Sequence, residues 1–158
     1  MFAVEQSSCY NGVKCCLSPL MMIDMPAVFT WTVRVYYEDT DAGGIVYYAN
    51  YLKFFERART EWLRALGIDQ HTMRARDGAL FVVKNASIDY HAPAKLDDVL
   101  TLTLSIEKLG RASVQFVQQA CCGAALLASA RVKVGCVDAA ALKPRALPPA
   151  VADKMRSA

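Results

Sequence analysis

One stretch of this chain repeats with the period of a helix, and nearly everything after it repeats with the period of a strand. Tyr51, Phe55, Ala58, Trp62 and Leu66 fall at helical spacing, and Leu52 and Leu63 widen that apolar face. Lys53, Glu56, Arg57, Thr60, Glu61 and Arg64 occupy the other side, with Arg57 and Glu61 four apart. Gly67 fits the position just past the helix end, and Ile68 is the apolar residue that follows it. The pattern predicts one helix of about five turns.

Strand signals flank it. Phe29, Trp31, Val33, Val35 and Tyr37 alternate with Thr30, Thr32, Arg34, Tyr36 and Glu38. After a short helical turn at 69–77 come four more strands: Leu80 to Tyr90, Val99 to Glu107, Ala112 to Ala120 and Leu127 to Val137. In the second of these, Leu100, Leu102, Leu104 and Ile106 alternate with Thr101, Thr103, Ser105 and Glu107, which decides for strand over helix. Gly110 and Gly123 mark turns. Pro144, Pro148 and Pro149 break the chain before a short helix at 150–156. Strand, long helix and four consecutive strands are most economically an α+β domain, with a five-stranded antiparallel sheet wrapped around one central helix. Such a sheet leaves edges that a second copy can cover.

The 158 residues suit one domain, and 54% hydrophobic content supplies a full core. The net charge of +3, with no Lys/Arg block, argues against nucleic acid as a partner. No apolar run approaches the roughly 18 residues that span a bilayer. Among Cys9, Cys15, Cys16, Cys121, Cys122 and Cys136 no Cys-x-x-Cys pair occurs, and the two histidines are His71 and His91, so no metal site is expected. Adjacent cysteine pairs suit reduced thiols in the cytoplasm better than a disulfide framework. Residues 1–24 show no clear period and lack the pattern of a signal peptide. They are expected to be a disordered extension or sequence upstream of a true start at Met25, which leaves 25–158 as the domain.

Chemistry concentrates between the first strand and the long helix. Glu38, Asp39 and Asp41 stand beside Gly43-Gly44. A carboxylate held where a loop enters a helix lies near unbonded helix-start N–H groups, which can stabilise a developing oxyanion, and glycines let a ligand approach the backbone. Asp41 is therefore either a turn former or the acid of an acyl-transfer or hydrolysis site.

The run Asp39-Thr-Asp-Ala-Gly-Gly-Ile-Val-Tyr-Tyr-Ala-Asn-Tyr51, continued by Phe-Phe-Glu-Arg-Ala-Arg-Thr-Glu-Trp62, resembles the signature of hotdog-fold acyl-CoA thioesterases. The nearest groups are the Tol-Pal-associated acyl-CoA thioesterases and the 4-hydroxybenzoyl-CoA thioesterases. The resemblance covers roughly 29–138 and extends to Asp89-Tyr-His-Ala-Pro-Ala-Lys-Leu-Asp-Asp98 and Lys108-Leu-Gly-Arg-Ala-Ser113. It implies a hotdog dimer or tetramer with sites at subunit interfaces. It implies Asp41 as nucleophile or general base, and the backbone N–H of Tyr48 as the group that polarises the thioester carbonyl. It also implies no cofactor, coenzyme A being part of the substrate, with acyl-carrier or phospholipid-synthesis proteins as further partners. Many Tol-Pal-associated members have histidine where this chain has Tyr48. A tyrosine can donate a hydrogen bond there but is no base near neutral pH.

Around this centre, Gly43 and Gly44 are expected to shape backbone close to the ligand. Tyr47 and Tyr51, with Tyr48, line an acyl pocket or the core. Arg111 matches a position that relatives use for the phosphates of coenzyme A, and Ser113 is placed on its pantetheine arm. Glu56 is the alternative carboxylate. Asp39 and Glu38 are read as structural, capping the loop or pairing with Arg34 or Arg59, and Asn50 as a helix cap or a tether for the loop. Two other functions compete. A hotdog hydratase or dehydratase needs an Asp-His or His-Glu pair in a pattern that His71 and His91 do not form. A scaffold that binds acyl groups without turning them over needs no catalytic acid at all.

Overall fold

The computed structural model describes residues 28–158; the expectations about 1–24 and about Met25 lie outside the described residues. Five strands, β1 (Phe29–Arg34), β2 (Ala79–Tyr90), β3 (Val99–Leu109), β4 (Ser113–Cys122) and β5 (Ala125–Asp138), form one antiparallel sheet in the order β1-β3-β4-β5-β2. Three helices accompany it: α1 (Asn50–Ala65), α2 (Gln70–Asp77) and α3 (Pro149–Arg156). The α+β expectation of a long helix wrapped by five antiparallel strands is met.

The alternation that predicted the strands also sorts their faces. Leu100, Leu102 and Leu104 are buried, as are Val114, Phe116, Gln118 and Ala120 one strand over, and Ala128, Ala130, Val132 and Val134 on β5. This face meets the stripe of α1. There Tyr51, Phe54, Phe55, Ala58, Trp62 and Leu63 are buried, and the Trp62 ring stands edge-on to Phe116 at 5.4 Å between centroids. Burying each large apolar side chain contributes about 1.5–3 kcal/mol, so the helix is seated mainly by this stripe. Gly67, at φ 64°, ends it: its N–H donates to the Arg64 carbonyl, and that of Ile68 to the Leu63 carbonyl.

Two expectations are corrected in detail. The first strand stops at Arg34 and does not run on to Glu38. Residues Tyr37–Asp39 form a single tight helical turn, closed by the Asp39 carboxylate accepting from the Tyr36 N–H at 2.9 Å. The long helix has 16 residues, a little short of five turns, because Ala49 takes the cap position.

One polar group is built into the core. Gln118 is fully buried on β4; its side chain donates to the Phe55 carbonyl at 3.0 Å and accepts from the Arg59 guanidinium at 2.8 Å. It thereby pins the middle of α1 to the sheet and holds a half-buried cation. Gln118→Leu keeps the volume but removes both bonds. It is expected to destabilise the protein by about 1–3 kcal/mol in urea unfolding, because Arg59 loses its acceptor. An unchanged midpoint would show that the pin contributes nothing.

Candidate active site

The loop between β1 and α1 is a small hairpin. Thr40 bridges Val46, the Asp41 N–H donates to the Ile45 carbonyl at 2.9 Å, and the Gly44 N–H returns to the Asp41 carbonyl at 3.0 Å. Asp41 Oδ1 accepts from the Gly43 N–H at 2.8 Å. Its second oxygen has no partner among the described residues, and the residue is exposed. The carboxylate is thus oriented through one oxygen and offered to solvent through the other, which is what a nucleophile or general base needs.

The two glycines serve this arrangement differently. Gly44 sits at φ 73°, where a side chain would be strained. At Gly43 a Cβ would stand 3.0 Å from Asp41 Oδ1, so any larger residue presses on the carboxylate itself.

Asp39 and Asp41 have opposite fates. Asp39 is buried and structural: besides its bond to Tyr36, its carbonyl accepts from the Tyr47 N–H at 2.8 Å and from the buried Asn50 side chain at 2.9 Å. Asn50 therefore tethers the loop and is not the helix cap. Neither Arg34 nor Arg59 pairs with these acids; Arg34 donates to the Asp97 carbonyl and Arg59 to Gln118.

At the start of α1 the Tyr47 carbonyl accepts from the Asn50 N–H and the Ala49 carbonyl from the Leu52 N–H. The Tyr48 N–H meets no backbone acceptor among the described residues, which leaves it available to a ligand oxygen at the positive end of the helix. Tyr47 and Tyr48 are exposed and lean together, ring centroids 4.6 Å apart. The Tyr48 hydroxyl beside it pushes the Tyr47 hydroxyl above its ordinary range. Tyr51 is a core residue: its buried hydroxyl accepts from the Ala94 N–H at 3.2 Å, and burial raises its pKa.

Sequence reasoning missed Tyr90. From the end of β2 its hydroxyl donates to the Tyr48 carbonyl at 2.9 Å, and its ring meets those of Tyr48 and Tyr51 edge-on. The signal was its place within the family-like segment 89–98. That segment also carries Ala94, whose carbonyl accepts from the Val46 N–H.

The remaining predicted residues do not gather here within one chain. Arg111 is exposed in the turn between β3 and β4, and Ser113 opens β4. β3 begins beside Arg34, next to the loop, and runs its whole length to that turn, a span of about 30 Å at strand rise. Glu56 projects from α1 well past its start, where its carboxylate accepts from Thr60 at 2.7 Å.

The tether yields a stability expectation. Asn50→Ala is expected to cost about 1–2 kcal/mol in thermal or urea unfolding, because a buried side-chain bond to the Asp39 carbonyl is lost. A loss within error of zero would show that the Tyr47 bond alone holds the loop.

Comparison with known proteins identifies the family. The thioesterase-like superfamily matches residues 35–155. The acyl-CoA thioesterase YbgC of Haemophilus influenzae is 49% identical over 120 residues, covering 76% of this chain and 88% of that protein. The crystal structure of a probable thioesterase from Bartonella henselae aligns with a TM-score of 0.74 at 36% identity, over 77% of this chain and all of that one. A 1,4-dihydroxy-2-naphthoyl-CoA thioesterase from Synechocystis aligns with a TM-score of 0.77 at 26% identity, over 82% of this chain and 96% of that one. Fold and sequence agree: this chain belongs to the thioesterase-like superfamily, with the hotdog fold.

Proposed function

We propose that this protein hydrolyses acyl-CoA thioesters to the free acid and coenzyme A, with Asp41 as the catalytic carboxylate. The observation that carries the reading is the Asp41 side chain, fixed through one oxygen by Gly43 and free at the other. The thioester carbonyl lies against the Tyr48 N–H, whose alignment with the helix start stabilises the oxyanion. Asp41 either attacks the carbonyl carbon or takes the proton from the attacking water. The thiolate leaves readily, so no strong acid is needed beside it. The reaction requires no metal or redox cofactor from the chain, and coenzyme A enters as part of the substrate. Cysteines in adjacent pairs fit a reducing cytoplasm. Among the described residues no helix is long and apolar enough to cross a membrane. An acyl-carrier protein presents the same thioester and is the natural second substrate or partner, within phospholipid synthesis or a Tol-Pal-type assembly.

The working unit is a homodimer, which can pair again into a tetramer. β2 is a long edge strand whose Val83 is more than half exposed, beside a groove shared with Leu52, Arg57 and Ala86. Tyr90 ends β2 at the loop, and Ala79 begins it at the Arg111 end of the sheet, since Val82 and Ser113 both pair with Gly135. Antiparallel pairing of β2 with its copy therefore sets one protomer's loop beside Arg111 and Ser113 of the partner subunit. There they can hold the phosphates and pantetheine arm that one chain cannot reach alone.

Three outcomes test this. Asp41→Asn, with folding confirmed, is expected to lower hydrolysis by at least about 100-fold, or ~2.7 kcal/mol of barrier, across short, long and aromatic acyl-CoAs followed by chromatographic release of coenzyme A. Equal rates would transfer the chemistry to Glu56, and no turnover by the wild type would favour the scaffold. Gly43→Ala is expected to cut the rate about tenfold or more with little change in melting temperature, because its Cβ displaces the carboxylate. Val83→Lys is expected to shift the light-scattering mass from a multiple of 17.4 kDa toward that value; a wild-type monomer would end the shared-site reading.

A further inference from the structure

The hydroxyl of Tyr90 is bonded to the residue that supplies the proposed oxyanion donor. Tyr90 closes β2 opposite the buried Ala128 of β5, on the side of the sheet that faces α1. The chain is tied down just beyond it, where the His91 and Ala92 N–H groups both donate to the Leu127 carbonyl, at 2.8 and 3.2 Å. The ring is held as well. It stands edge-on to Tyr48 and to the core residue Tyr51, at 6.3 and 5.7 Å between centroids. A phenol anchored at its backbone and along its ring presents its hydroxyl at a fixed point, and that hydroxyl donates to the Tyr48 carbonyl at 2.9 Å. Burial and the neighbouring Tyr48 push it above its ordinary range, so it keeps its proton and donates across neutral pH.

What this bond does follows from peptide geometry. α1 begins at Asn50 with Ala49 at its cap, so Tyr48 stands outside the helix. Its N–H shares a rigid plane with the Tyr47 carbonyl, which accepts from the Asn50 N–H at 2.8 Å. That bond closes the turn on itself and fixes the plane only relative to the helix. The Tyr48 carbonyl belongs to the next plane, and through Tyr90 that plane is fixed relative to the sheet. The same segment also sets the acid: the Ala94 carbonyl accepts from the Val46 N–H, at the base of the hairpin that carries Asp41. Donor and carboxylate are thus both referred to residues 90–94. Their separation matters, since a misplacement of about 1 Å at a reacting centre can cost about 100-fold in rate.

We propose that Tyr90 is a positioning residue for thioester hydrolysis, its hydroxyl aiming the Tyr48 N–H at the carbonyl oxygen in register with Asp41. This rests on the hydrolase reading given above. Tyr90 acts through the Tyr48 peptide and not on the substrate. Its bond lies within one chain, and Val83 is seven residues away along β2, about 23 Å at strand rise, so the proposed dimer seam and the aim of the donor are separable.

Tyr90→Phe removes the hydroxyl and keeps the ring, at a half-exposed position that spares the core. In acyl-CoA hydrolysis kcat is expected to fall about tenfold while KM stays within about twofold, because an interaction used in the transition state is loosened and the rest of the substrate is held as before. The melting temperature is expected to move by about 4 °C at most. A second measurement needs no turnover. In the full-length 15N-labelled protein the order parameter of the Tyr48 amide is expected near ~0.85 in the wild type and below ~0.6 in Tyr90→Phe, with the Val46 amide unchanged. An unchanged kcat, a raised KM at constant kcat, or a Tyr48 amide equally rigid in the variant would each overturn the proposal. A wild type that turns over no acyl-CoA shows itself before any variant is compared; it strikes the hydrolase reading and this role with it.

Discussion

The seat of α1 on the sheet is the constraint from which the rest follows. Phe54, Phe55 and Ala58 lose all contact with solvent there, in one core with the leucines of β3. Once the helix is fixed in rotation and depth, Asn50 must face inward, and its side chain catches the Asp39 carbonyl eleven residues back. The loop's position is thus inherited from core packing. The glycines and acids of the motif would not hold that geometry on a helix free to rotate.

Within the loop, burial separates two acids that look alike in sequence. Asp39 is enclosed, and its carboxylate is spent on a backbone N–H; Asp41 stands at the hairpin tip with one oxygen uncommitted. A buried carboxylate engaged in structure is a poor nucleophile because its lone pairs are occupied and a substrate cannot reach it. The division of labour also explains two glycines in succession. One permits the backbone turn, and the other leaves clearance over the carboxylate.

What was legible in the sequence was what local periodicity encodes. The alternation of Leu100, Leu102 and Leu104 with threonines gave the strand and its buried face, and Gly67-Ile68 gave the helix end to the residue. The early end of β1 was less legible, because Val35 and Tyr37 keep the period of two. What breaks the strand is a carboxylate bond, not a change of pattern. Contacts between distant positions left no local signal. Gln118 meets Phe55 and Arg59 across 63 and 59 residues, and Tyr90 meets Tyr48 across 42. A glutamine in an alternating strand reads as an ordinary inward or outward residue until the helix above it is placed. The acid–glycine motif was legible as a candidate site because its residues are consecutive. Arg111 and Ser113 were read from resemblance, and their distance from the loop is a property of strand length that no motif records.

That distance carries its own argument about how the site works. A thioester of coenzyme A is long, with a charged nucleotide at one end and the reacting carbonyl near the other. A single chain offers the carboxylate and the helix start at one end of the sheet and an exposed arginine at the opposite end, along the same strand. No bending of a packed sheet closes such a gap, since every residue between is fixed in the ladder. The two-fold axis of the proposed dimer would close it without distortion. Antiparallel pairing reverses the second sheet, so ends that are far apart within a chain become neighbours between chains. In the proposed dimer the site would depend on assembly for substrate affinity and on one chain's loop for chemistry. Damage to the edge strand should then weaken binding of the nucleotide while leaving the carboxylate and its helix-start donor in place.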